Sequence, residues 1–366
     1  VDKKTRILAI VAAVAASILI ITSPSGSIVI PKPTTTSSAG TDAVQVVATN
    51  LQKPWALTFG DGKIFLTEKV GRLRVIDSGI LVNESVADFR VADISDAGLL
   101  GVTTHPDFVK NHFLYVYYTY KEGDKLWNKV LRITESNDKI VDAKVILDKI
   151  PGAEFDDGGV IKFGPDGKLY IGTGDATDEN AAQDRASLAG KILRLNDDGS
   201  IPSDNPNPNS PVYSFGHRNP QGLTWDSQGN LYETEEGPTK NDEINIIKKD
   251  KNYGWPNQEC SGSTEYQSAL NCYNISIEPA GIAYYGSSGK LDFKNSLILA
   301  TLRGNILYQI PIANGNVTSQ KIILDGLGRI REVGVGPDDY LYILTGNTDG
   351  QGFPDKTDDK LLRVIK

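Results

Sequence analysis

The chain has 366 residues, 38 of them basic and 46 acidic, for a formal net charge of −8. That balance, with no basic cluster, argues against nucleic acid as a partner. The 36 glycines and 18 prolines exclude a fold built from long helices and suit sheets joined by many turns.

The first element is apolar. Lys3, Lys4 and Arg6 precede "ILAIVAAVAASILII", a run of about 15 residues. Basic residues followed by a short apolar run form the pattern of a secretory signal, whereas a membrane span needs about 20 residues. No A-x-A cleavage site follows. Residues 1–22 therefore read as a signal peptide or as a membrane anchor through residues 7–21. The protein is expected to be exported, either extracellular or periplasmic, or held on the outer face of the cytoplasmic membrane. Membrane contact is expected only through this segment. Residues 23–42 are rich in Ser, Thr and Pro and read as a linker, which leaves residues 43–366 as the globular region.

Within the globular region a single phrase recurs: a turn, an alternating apolar and aromatic strand, a gap, then a second strand. Copies include "GKIFLTEKVGRLRVID", "NHFLYVYYTY", "GKLYIGTGD", "GNLYETEEG", "NSLILATLRGNILYQI" and "DYLYILTGN". Their anchors are Phe65, Tyr115, Tyr170, Tyr232, Ile298 and Tyr342, spaced about 44 to 66 residues apart. Strand-rich repeats of that period are the signature of propeller blades, so six anchors predict an all-β, six-bladed β-propeller. "FGPDGKLY" and "VGPDDYLY" supply the turns, with Pro setting φ. Cys260 and Cys272, close together in a polar loop, read as a disulfide. Asn83, Asn274 and Asn316 begin N-x-S/T triplets.

A propeller gathers loops from every blade at one mouth, so polar residues flanking the strands are the candidates for function. "AEFDDGGV" puts Asp156 and Asp157 before a Gly pair, and "GHRNPQG" packs Arg218 and Asn219 beside Gln221. "EEGPTKNDE" sets the Gly237-Pro238 pair among Glu235, Glu236, Asp242 and Glu243. Free carbonyls beside carboxylates are what Ca²⁺ prefers.

These stretches, with "GLLGVTTHPDF", "DEINIIKKDKNYGWP" and "GRIREVGVGPDDYLYILT", resemble the glucose/sorbosone dehydrogenase family. That family contains soluble quinoprotein glucose dehydrogenase and the aldose sugar dehydrogenases. The resemblance implies a six-bladed propeller that uses pyrroloquinoline quinone (PQQ) and Ca²⁺ to oxidise a sugar or related alcohol. Electrons then pass to an external acceptor. By the same resemblance Arg218 and Asn219 face the quinone, and Arg303 stands where the family usually has a cofactor-binding Lys. Arg329 and Arg331 are two apart on an extended segment, share a face, and can clamp the carboxylates of PQQ. Gly237 and Pro238 match the carbonyls of the catalytic Ca²⁺, and Glu243 with the carbonyl of Tyr253 match a further ion. Asp96 and Asp175 match positions near the sugar.

Besides Arg303, two mouth positions depart from the family, and one is Glu236, which stands where the family usually has Gln or His before the Gly-Pro pair; the other is catalytic. The family's general base is a His before the Gly pair, and this chain has Asp156 there. His105, His112 and His217 match other family positions and supply no obvious replacement. The reference pKa values of about 6.5 for His and 3.9 for Asp differ by roughly 3.5 kcal/mol of proton-accepting strength. Burial beside other acids can recover some of that difference. Three readings follow: a dehydrogenase with Asp156 as base, a non-catalytic propeller that binds a ligand or protein, and a calcium-dependent lactonase-type hydrolase. In the last, Asp156 and Glu236 would ligate the metal or activate water.

Overall fold

Alternating apolar and polar residues between tight turns produce strands throughout, and these group into six antiparallel sheets. The structure is a computed structural model that describes residues 43–313 and 315–366. The apolar run and the linker expected over residues 1–42 lie outside the described residues. Among the described residues no helix is long and apolar enough to cross a membrane.

The innermost strands of the six blades are Pro54–Gly60, Leu99–Thr104, Gly158–Phe163, Pro220–Trp225, Pro279–Tyr285 and Ile330–Val335. Each packs against the next, and the last returns to the first, which closes the ring. The six-bladed propeller expected from the repeat is therefore the observed fold. All six anchors are buried, and each sits on the second strand of its blade. The turn acids have a second task. Asp166, Asp226 and Asp338 each accept a bond of 3.0 Å from a tyrosine hydroxyl, those of Tyr170, Tyr232 and Tyr342 respectively. In three blades, the same contact ties the turn to the strand that follows it.

The ring is closed by the N-terminal end of the described chain. Val44–Ala48 pairs with the last strand, Leu361–Val364, as the outer strand of the sixth blade. Close approach at the centre demands small residues. A Cβ on Gly101 would lie 2.2 Å from the Gly159 carbonyl of the neighbouring blade.

Each innermost strand also carries a register shift near its start. A bulge interrupts the regular alternation and re-aims side chains. Six such shifts at equivalent places turn the strand starts into a ring of redirected side chains.

The predicted disulfide is present between Cys260 and Cys272, with Cα atoms 5.6 Å apart. Cys272 lies on the outer strand Asn271–Tyr273 of the fourth blade, opposite Glu243.

Candidate active site

Asp156 ends the loop that enters the third blade. Its φ of 60° lies in the left-handed region, which Asp adopts more readily than most residues. Backbone contacts hold it there. The Ala176 N–H donates to the Asp156 carbonyl at 3.0 Å, and the Asp175 N–H donates to the Arg218 carbonyl at 2.7 Å. Gly174 passes so close that a Cβ would lie 1.7 Å from the Asp156 oxygen. Asp157 pins the same loop from inside. It is buried and accepts bonds from Asn128, Ala153 N–H and Thr119 at 2.8, 3.0 and 3.3 Å. Of the acidic pair, Asp157 therefore serves the scaffold, while the Asp156 side chain reaches Arg218.

Arg218 is the hub of the site. One guanidinium nitrogen donates to Asp156 at 2.8 Å, and the other to the carbonyls of Glu236 and Gly237 at 3.0 and 3.2 Å. Its backbone N–H is taken by Glu235, whose second oxygen lies 2.8 Å from His217 Nδ1. His217 stacks on Tyr253 with ring centroids 4.6 Å apart. Burial, the first cause, pushes the Asp156 carboxyl up to about 6; Asp175 and Asp96 add to the rise and Arg218 opposes it.

Two cavities lie nearby; Arg218 lines the smaller, and the Asp156 side chain is in the lining of neither. The smaller, with a volume of about 10 Å³, is lined by Arg218, Gly237, Pro238, Glu243 and Tyr253 among others. All four residues expected to hold metal thus meet in one cleft. Their oxygens are of the hard type that Ca²⁺ takes. Glu243 already accepts from the Cys260 N–H at 2.5 Å and from Asn245 at 3.1 Å, and Gly237 from Arg218.

The larger cavity, about 290 Å³, opens at the propeller mouth. Its lining includes Asp96, Asn219, Glu236, Arg329 and Arg331. The Arg331 guanidinium lies over the Trp55 ring at 4.4 Å, and its Nε is buried with no hydrogen-bond partner. A flat apolar face beside an unpaired guanidinium N–H suits a planar carboxylate ligand, so these residues fit PQQ. Arg329 and Arg303 converge on Glu278 at 3.0 and 2.6 Å, and Arg329 also binds Asp349 at 2.7 Å. Burial first, then Glu278 and Asp96, push the Glu236 carboxyl up to about 7.

Other expected residues are placed differently. The Asn219 amide is engaged within the protein, accepting from Gly158 N–H and Gln221 at 3.0 and 2.9 Å and donating to Glu236 at 3.3 Å. Asp175 does not line the larger cavity. Its carboxylate accepts from Trp255 Nε1 and Thr177 N–H, each at 2.8 Å. Trp255 in turn lies under Arg218 at 5.7 Å. Asp175 thus supports Arg218 through Trp255. Trp55, Lys69 and Glu278 were not singled out from the sequence. Lys69 lines the mouth and donates to the Ser95 carbonyl, and burial lowers its pKa.

Residues 51–363 match the family profile described as Glucose / Sorbosone dehydrogenase. The chain is 30% identical to aldose sugar dehydrogenase YliI of Escherichia coli, across 84% of this chain and 91% of that one. It is 36% identical to quinoprotein glucose dehydrogenase B of Acinetobacter calcoaceticus, across 58% of this chain and 52% of that one. The PQQ-bound aldose sugar dehydrogenase of Streptomyces coelicolor superposes with a TM-score of 0.80 at 34% identity, covering 87% of this chain and 96% of that one. With the profile spanning nearly the whole propeller, the chain belongs to the glucose/sorbosone dehydrogenase family.

Proposed function

We propose that the protein oxidises an aldose or a related small alcohol at the propeller mouth, with PQQ and Ca²⁺ as cofactors and Asp156 as general base. The observation that carries this reading is the Asp156–Arg218–Gly237 chain of contacts beside a mouth cavity lined by Arg329 and Arg331; burial also pushes the Asp156 carboxyl up to about 6. That value nearly closes the gap to the usual imidazole pKa of about 6.5. When bound, PQQ supplies a quinone that takes hydride, and Ca²⁺ polarises it.

The chain's own residues perform the rest. Arg331 over Trp55, with Arg329 and Arg303, anchors the cofactor carboxylates. The Gly237 and Pro238 carbonyls would hold the catalytic calcium, and Glu243 with the Tyr253 carbonyl a further ion. Asp96 at the mouth orients sugar hydroxyls, while Asp175 holds Trp255 beneath Arg218. Asp156 accepts the proton of the anomeric hydroxyl as the C1 hydrogen departs with two electrons, which leaves a lactone and a protonated Asp156. With PQQ bound, Arg218 would supply the positive charge that offsets a negatively charged reduced quinone. The electrons then pass to an external acceptor. The N-terminal segment and the Cys260–Cys272 disulfide support a location outside the cytoplasm.

Reconstitution with PQQ and Ca²⁺ followed by dye reduction over an aldose panel tests the proposal, and absence of turnover across the panel rejects it. The 2.8 Å Asp156–Arg218 pair favours a second reading, a propeller that binds its ligand without turnover, because a carboxylate committed to a guanidinium is a weaker base. Tight PQQ binding with no dye reduction supports that reading. Lactone hydrolysis that survives removal of PQQ points instead to the hydrolase.

A further inference from the structure

Behind the small cleft, the fourth blade buries more carboxyl groups than its neighbours pair with cations. Glu233 and Glu235 alternate on the strand Leu231–Glu235 and so share a face. Glu243 and Asn245 stand opposite them on the strand Asp242–Ile247, paired as Glu235 with Glu243 and Glu233 with Asn245. His217 arrives from the loop before the blade. One donor atom from each of His217, Glu233 and Glu235 lies within 4.8 Å of the other two, and all three residues are buried.

Glu233 is the anomaly. It is 0% exposed. One carboxylate oxygen accepts from Asn245 Nδ2 at 3.1 Å, and the other has no partner. A buried carboxylate oxygen without a donor is costly. Among the described residues, no lysine or arginine side chain pairs with Glu233, Glu235 or Glu243, and the nearby Arg218 side chain is engaged by Asp156. Three carboxylates around one imidazole require compensation by protons or by a cation.

We propose that His217, Glu233 and Glu235 form a buried site for a divalent transition-metal cation of the zinc or manganese class. The donor chemistry separates it from the neighbouring cleft. Backbone carbonyls and carboxylates suit calcium, whereas imidazole with carboxylates suits Zn²⁺ or Mn²⁺. His217 Nε2 lies 2.9 Å from Ser214 Oγ. With its proton donated there, the Nδ1 lone pair faces the carboxylates, as in a ligating imidazole held by a neighbour. Metal–donor bonds of about 2.0–2.2 Å put donors roughly 3.4 Å apart. Loading therefore requires the three donors to re-space around the ion, with Glu235 releasing Nδ1. Because Glu235 also accepts the Arg218 N–H, the ion would brace the backbone that carries Arg218 and Asn219. The proposal is independent of the reaction assigned to the mouth.

Metal analysis of the full chain decides it. After stripping with a strong chelator and dialysis against Zn²⁺ or Mn²⁺, wild type should retain about one equivalent per chain and melt several degrees higher than the stripped protein. Glu233→Gln should retain less than about a tenth of that and show no shift, while Glu243→Gln keeps the ion. No retained metal in wild type overturns the proposal. Loss in Glu243→Gln with retention in Glu233→Gln also overturns it, since that places the ion in the outer cleft. Should Glu233→Gln fail to fold, Co²⁺-loaded wild type decides. Four- or five-coordinate visible bands with an imidazole nitrogen resolved by pulsed electron paramagnetic resonance support the site, and a six-coordinate, water-ligated Co²⁺ spectrum refutes it.

Discussion

The Asp156 carboxylate meets the Arg218 guanidinium at 2.8 Å, and the same guanidinium holds the Gly237 carbonyl at 3.2 Å. Proposed base, proposed electrostatic group and proposed metal ligand are thus one connected unit. Replacing the base alone tests its share. Asp156→Asn should lower kcat by about 10²- to 10⁴-fold, the usual contribution of a positioned base. PQQ affinity, followed by cofactor absorbance, should remain within a few-fold of wild type. Asp156→His should retain turnover.

The raised Asp156 pKa sets the acid side of the pH profile. The working form is the carboxylate, present above the folded pKa of about 6. Plotted against pH, kcat/KM should fall about tenfold per unit below that value and level off above it. In Asp156→His, the limb should move toward about 6.5. A flat wild-type profile between pH 5 and 7 would contradict the assignment.

Arg331 and Arg303 should differ in importance. Arg331 stacks on Trp55 with an unpaired Nε, while the Arg303 side chain is 58% exposed and already bound to Glu278. A charge-assisted hydrogen bond lost from a buried site costs about 1.5–3 kcal/mol, or roughly 10- to 100-fold in affinity. Arg331→Gln should weaken PQQ binding by that factor in a titration, and Arg303→Ala by only a few-fold.

Stability should fall between pH 5 and 7. Burial raises Asp156 to about 6 and Asp157 and Glu236 to about 7, so the folded state holds these protons after the unfolded chain has released them. The free energy of unfolding then declines as pH rises through this window, by about 1 kcal/mol per pH unit for each group still protonated. Lys191, lowered to about 7 by burial, acts in the opposite sense above pH 7. Thermal melts of the metal-free protein should therefore show a higher Tm at pH 5 than at pH 7.

Gly101→Ala probes the ring itself. The new Cβ would lie 2.2 Å from the Gly159 oxygen, and both partners are backbone. Overpacking of this kind costs about 1–3 kcal/mol or more, measurable as a lower denaturant midpoint.

The architecture was legible because each blade repeats a local rule. Tyr170 and Tyr232 could be recognised beside their turn acids without knowing what packs on them. The site was only partly legible. Arg329 and Arg331 stood out as an alternating pair, and both reach the mouth. Glu278, which gathers Arg303 and Arg329, comes from the start of another blade and carries no local motif. Trp55 beneath Arg331 is separated from it by nearly the whole chain, so only ring closure brings them together. The departure at Asp156 was visible at once, but its pKa depends on Asp96, Asp175 and Arg218, each on a different segment. Asn219 and Asp175 match functional positions, yet their polar groups are satisfied by internal bonds that no spacing reveals.

Closure through Val44–Ala48 and Leu361–Val364 gives assembly a strict order in time. Among the described strands, the first to leave the ribosome waits for the last. Until then it is an unpaired edge, and the neighbouring blades lack a circle to complete. The ring therefore cannot close before Leu361–Val364 has emerged, and any activity located at the mouth begins only once that strand is free to pair.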